Sequence, residues 1–291
     1  MLVLSAAVPA AATGSDCTAD QILDRYFSLP CDDPDPMGEG RGERLAALRQ
    51  LWQCPGEGVA AIAQVLPQVE LRVRRLELIE TLGRLPTRES ADILIPLLDD
   101  PDGAVRLQAL KGLRLHASRI RRSGVVNVSQ EPEFSPAVDG LLPYLIEAAN
   151  DEDDGFRALA LWALADTREP EAADEIRRHL HDRNPGIRLR SACLLAEFGD
   201  DSGLPELRLA LERLSQKDSK GAAAYYFEAE HLLVSLQRVT GVSLGAVPMN
   251  PMLASSLAVS ERQIDRYDEM LQAWVDWWAT HDEGANVHDS E

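Results

Sequence analysis

Three short stretches place side chains at spacings that chemistry could use. In "HLHD", His179 to Asp182, imidazoles and a carboxylate stand within four positions, a spacing able to hold a metal ion. That reading is weak, because groups at a helix end ordinarily meet solvent. "NDEDDG", from Asn150 to Gly155, is dense enough in carboxylates for a calcium loop. With Asn150 as first ligand, Leu161 falls where a bidentate Glu must stand, so an EF-hand is rejected. Phosphate-cradling glycine loops, nucleophile elbows and H-E-x-x-H are absent, and the 6 His are scattered. Catalytic residues, metal ligands and cofactor-binding residues are therefore expected to be none, and no cofactor is expected. "NVS" at Asn127 has the form of a glycosylation acceptor and is given no weight in what reads as a bacterial coding sequence.

Four cysteines remain. Cys17, Cys31 and Cys54 cluster near the start; in an oxidising compartment Cys17 and Cys31 could close a loop, leaving Cys54 free or re-paired, while unpaired thiols are the other reading. Cys193, alone in a helical stretch, is read as core filling.

The strongest pattern is a recurrent Asp with an Arg six residues later. It occurs as Asp100 and Arg106 in "DDPDGAVRLQALKGL", as Asp151 and Arg157 in "DEDDGFRALALWAL", and as Asp182 and Arg188 in "DRNPGIRLRSACLL". Apolar or small residues follow each Arg at one, four and seven positions, which is one face of a helix. Upstream of each turn lies another amphipathic stretch, so the unit is helix, Asp-rich turn, helix. Asp100 is expected to cap the second helix, with Pro101 in its first turn. An earlier unit around residues 57–83 offers Arg72 or Arg74 in the Arg position, and a later one around residues 202–241 keeps both helices without the Arg. Between the first two clear units lies an insertion at about residues 119–136.

These units resemble HEAT repeats, in particular the short bacterial ones named after phycocyanobilin lyases, whose signature is an acidic turn, "VR" and an Ala/Leu-rich helix. The resemblance implies an all-α fold, an armadillo/HEAT-like α-solenoid of about five helix pairs. It also implies a structural ladder in which Arg106, Arg157 and Arg188 reach the turn residues Asp100, Asp151 and Asp182 of neighbouring units. HEAT-type deoxyhypusine hydroxylases carry iron on His-Glu dipeptides, and the sequence contains none.

The expected organisation is an export-signal remnant or flexible segment over residues 1–40, a repeat solenoid over 41–240, and a Gly/Pro linker with a Trp-rich capping helix over 241–291. In the last helix Tyr267, Leu271, Trp274 and Trp278 share a face that should close the stack. The start, "MLVLSAAVPAAATGSDC", has an apolar run ending in small residues, so export to the periplasm or beyond is expected, with a cytoplasmic location as the alternative. No stretch is long and apolar enough to span a bilayer.

Charge narrows the partner. The net charge of −19 opposes general affinity for nucleic acid. It is also banded: residues 71–122 carry 11 basic and 7 acidic residues, residues 123–176 carry 2 and 13. The sequence therefore reads as a protein-protein interaction scaffold, its partner bound on the concave face and the insertion. Arg114, Arg119, Arg121 and Arg122 form a basic contact for an acidic segment. The alternative is a lyase-type or chaperone-like enzyme related to phycobilin lyases. The sequence does not specify oligomeric state.

Overall fold

The structure, a computed structural model, describes residues 18–31, 40–118, 138–216, 223–247 and 261–285. Among them all regular structure is helical, and the chain divides into two compact units, residues 1–116 and 117–291. Each unit is built from helices that fold back on one another across short turns, the arrangement of an α-solenoid.

The first unit contains α1 (Ala19–Ser28), α2 (Arg41–Leu48), α3 (Pro55–Val65), α4 (Arg72–Gly83), α5 (Arg88–Leu94) and α6 (Gly103–Ala117). Packing begins before residue 41, where a remnant or flexible segment was expected. Tyr26 of α1 is fully buried and its hydroxyl donates to Glu77 Oε2 at 2.9 Å. Glu77 is held from the other side by Arg44, whose Nη2 donates to Oε1 at 2.8 Å, and both side chains are buried. Arg74 closes the network by donating to the carbonyls of Tyr26 at 2.9 Å and Leu29 at 2.6 Å. Every strong donor and acceptor here has a partner, which is what makes buried charge tolerable. Farther along, α4 and α6 approach so closely that a Cβ on Gly83 would stand 2.6 Å from Gly112 Cα. Glycine is needed at that crossing for space, not for its backbone freedom.

The second unit contains α7 (Leu142–Ala149), α8 (Asp154–Thr167), α9 (Pro170–Arg178), α10 (Pro185–Glu197), α11 (Leu204–Ser215), α12 (Ala223–Thr240) and α13 (Glu261–Ala285). Tyr267, Leu271 and Trp274 of α13 are almost wholly buried against α11 and α12, with Met270 beside them and Trp278 partly covered. That apolar stripe removes from water the face that the last pair would otherwise leave open.

Among the cysteines, Cys54 is disulfide-bonded and Cys31 is a free thiol. The Cys17–Cys31 pairing is thereby corrected: Cys54, not Cys31, is the residue engaged. Cys17 lies outside the described residues.

Candidate functional site

The repeated turns are built by their first Asp and finished by the residue two positions on. Asp100 Oδ1 accepts the Asp102 N–H at 2.9 Å, Asp151 Oδ1 that of Asp153 at 2.7 Å, and Asp182 Oδ1 that of Asn184 at 2.7 Å. The second residue then caps the helix, Asp102 at Ala104 N, Asp153 at Phe156 N and Asn184 at Gly186 N. Asp100 therefore closes the turn and Asp102 caps α6, a correction to the expected cap. The reason is reach: α6 starts at Gly103, beyond an Asp100 carboxylate committed two residues on, and Pro101 stays in the bend.

The six-residue spacing has a uniform geometry. Arg106, Arg157 and Arg188 each donate Nη1 to the backbone carbonyl of the turn Asp, at 3.0, 2.9 and 3.0 Å. Arg157 also reaches forward, its Nε and Nη2 donating to the two carboxylate oxygens of Asp182 at 3.1 and 3.0 Å. Arg188 reaches Glu206 Oε1 at 2.9 Å. In the first unit the residue that reaches a turn Asp is Arg75, on Asp100 Oδ2 at 2.6 Å. Neither Arg72 nor Arg74 holds the Arg position: Arg72 pairs with Asp102, and Arg74 turns into the Tyr26 network. Arg75 stands three residues into α4 as Arg157 stands three into α8.

These contacts set ionisation. Burial alone would raise the Asp182 carboxyl, but the bonds from Arg157 and from Asn184 N–H hold it below the ordinary carboxylate value. Asp102 is held lower by its bond from Arg72 and by Ala104 N–H. His179 is buried between Glu175 and Asp182 and does not meet solvent as expected, whereas His181 is exposed. Arg114 is half-buried on α6; Arg119, Arg121 and Arg122 lie outside the described residues.

What the turns position is a groove across α8, α10 and α12, of about 490 Å³. Asn184, at the start of α10, donates to Asp154 at the start of α8, at 2.6 Å. Arg168, past the end of α8, donates to Glu197 at the end of α10, at 2.9 Å. The two helices therefore run parallel, as the second helices of successive repeats do. The floor is apolar: Ala158, Ile187, Leu189, Cys193 and Leu194, with Val234 standing 37% exposed on α12. Among the described residues its one large aromatic is Trp162, over whose ring the Arg190 guanidinium lies at 4.1 Å. Burial pushes the Cys193 thiol up to about 11, so it is a neutral wall of the groove and not a nucleophile.

Sequence reasoning did not single out Trp162, Arg190 or Val234. The signal was present as spacing: Ala158 with Trp162, and His231 with Val234 and Arg238, follow the helical period on a side that also carries charge.

Residues 142–226 match the family model for HEAT repeats, so this part of the second unit, which contains the floor of the groove, is HEAT-repeat structure. Among solved structures, the crystal structure of an engineered protein aligns at 12% identity and a TM-score of 0.40, covering 88% of this chain and 68% of that one. Human deoxyhypusine hydroxylase in complex with glycerol aligns at 18% identity and a TM-score of 0.27, covering 88% of this chain and 96% of that one. No curated protein matches the chain.

Proposed function

We propose that this protein is an interaction scaffold whose partner docks on the face formed by α8, α10 and α12. The observation that carries the reading is the groove itself: an apolar floor with one stacked Trp–Arg pair, open to solvent on the second helices of adjacent repeats. Stacked repeats create extended surfaces of this kind, and a partner helix or strand can lie along them. Arg114, Arg119, Arg121 and Arg122 are proposed as a separate basic contact.

A quantitative pull-down from the native source, comparing wild type, Val234→Trp and an Arg119/Arg121/Arg122→Glu variant, tests both surfaces. A partner depleted by Val234→Trp at unchanged helicity is expected. Identical partners at identical abundance with all three proteins would overturn the scaffold reading.

We further propose export to an oxidising compartment. Among the described residues no helix is long and apolar enough to cross a membrane, and the disulfide at Cys54 supports the reading. Alkylation in denaturant of protein taken directly from cells, before any reduction, should label Cys31 and Cys193 and spare Cys54. Labelled Cys54 would remove the support.

A further inference from the structure

We infer that the α8/α10/α12 groove receives a cationic amphipathic helical segment of its partner, with aliphatic or aromatic side chains on the floor and Lys or Arg side chains toward the rim. This rests on the groove being the docking surface and adds the chemistry of what docks there.

Size comes first. The 13 residues of α10 make it about 20 Å long, which matches three to four turns of a partner helix. A short helix laid along the groove can present side chains at i, i+3 or i+4, and i+7 to its apolar lining.

Charge then selects the partner. Among the described residues four carboxylates line the groove: Asp154 at one end, Glu197 at the other, and Glu228 and Glu230 along α12. Against them stand Arg190 and Arg238, and Arg190 already lies on the Trp162 ring. Three of the carboxylates keep an Arg outside the lining: Asp154 with Arg157, Glu197 with Arg168, Glu228 with Arg213. The acidic side chains of these pairs are 47, 31 and 34% exposed, so each has lone pairs open to an added cation. The Glu197 and Glu228 pairs, exposed on both sides, hold their Arg weakly and do not seal the rim, whereas Asp154 is held by the buried Arg157 with Arg183 3.5 Å away. Among the described residues Glu230 has no such Arg, so a cation arriving along α12 meets an unneutralised carboxylate there, with the solvated oxygens of Glu197 and Glu228 to either side.

The field of the unit acts in the same direction. Across residues 117–291 acidic side chains outnumber basic ones 31 to 17, so a cation is drawn toward this part of the chain and an anion is repelled. Complementary potential of this type sets which partner approaches and how fast, while the apolar floor sets how long it stays.

The test uses the full-length protein and two fluorescein-labelled helical peptides of about 14 residues. Both carry Leu and Phe at i, i+4 and i+7; one has Lys and Arg at the remaining exposed positions and the other has Glu. Binding is followed by anisotropy for wild type, Val234→Trp and Glu230→Lys, each first checked for wild-type helicity and melting. The basic peptide should bind at least about tenfold tighter than the acidic one at low salt, with the difference shrinking as salt screens it. Val234→Trp should abolish that binding, and Glu230→Lys should weaken it about fivefold. If the acidic peptide binds as well as the basic one and Val234→Trp abolishes both, the charge assignment is overturned while the groove remains the docking surface. If neither peptide binds, or Val234→Trp leaves binding unchanged, the inference also fails; the pull-down then decides separately whether the groove takes a partner of other chemistry.

Discussion

The start of α4 and the start of α8 solve one problem with opposite charges. In both, the residue three positions into the helix is an Arg that reaches the turn Asp 25 residues on: Arg75 to Asp100, Arg157 to Asp182. In both, the first helical residue bonds to the capping residue 30 positions on, but Arg72 pairs with Asp102 in one and Asp154 with Asn184 in the other. Arg183 adds a cation near Asp154 at 3.5 Å. The geometry of the joint is thus retained while its outer rung is inverted, from Arg on the helix with Asp in the turn to Asp on the helix with Asn and Arg in the turn. The joint needs a bridged pair at each register position; which side carries the charge is free. Burial separates the two as well. Arg157 and Asp182 are 5 and 8% exposed at the side chain, whereas Arg75 is 31% exposed on an Asp100 that is 7% exposed.

That difference ranks the joints. Arg157→Ala strands Asp182 beside the buried His179 and leaves the carbonyl of Asp151 without its guanidinium, while that of Glu152 keeps Arg183. The expected cost is about 3–5 kcal/mol, read as a lowered urea midpoint for the second unit. A loss below about 1 kcal/mol would place the Arg157 joint with ordinary surface pairs and erase the distinction from Arg75.

The second expected effect lies in the first unit and depends on pH. His116 is fully buried, its Nε2 3.1 Å from the Leu82 carbonyl, and burial lowers its pKa from 6.5 to about 4. The folded unit therefore keeps the ring neutral while the unfolded chain takes up a proton. Stability is complete above about pH 6.5 and falls as pH drops toward 4, by about 3 kcal/mol in all. Depressed carboxylates such as Asp102 and Asp182 act at lower pH, because the unfolded groups titrate near 3.8. Urea melts of His116→Gln between pH 7 and 4 should lose most of this slope. An unchanged slope would assign the acid sensitivity of the first unit to its carboxylates.

The helix-turn-helix period and the Asp-to-Arg spacing were legible in the sequence because each is local, fixed by side chains within seven residues. What the Arg bonds to was not, since a guanidinium six residues past a turn can reach that turn's carbonyl, the next turn's carboxylate, or both, as Arg157 does. The inverted rung was hidden for a related reason: Arg72 with Asp102 and Asp154 with Asn184 share a separation of 30 but no residue type. In the groove, Trp162 and Val234 have the periodicity of core residues, and only the tertiary arrangement of α8, α10 and α12 reveals that their side of the helix faces solvent. The packing of residues 19–28 is not legible in the sequence, because nothing near them shows that Tyr26 and the carbonyls after it meet Glu77 and Arg74.

The smallest effect is the one that tests whether the two joints are the same device. Arg75→Ala removes a single bond to Asp100, whose other oxygen keeps the Asp102 N–H, so the turn itself stays closed. Because Arg75 is partly solvated, water can replace it, and the cost should be about 1 kcal/mol or less, with reduced sensitivity to salt as the exposed charge is lost. The neighbouring pair of Arg72 and Asp102 bridges the same two elements and can hold the register without Arg75. A double variant, Arg75→Ala with Arg72→Ala, should therefore lose more than the sum of the single losses, because each pair covers for the other. Strict additivity would mean that the two rungs are independent surface contacts. In that case the α4 joint would not couple its repeat to the next in the way the buried Arg157 joint does.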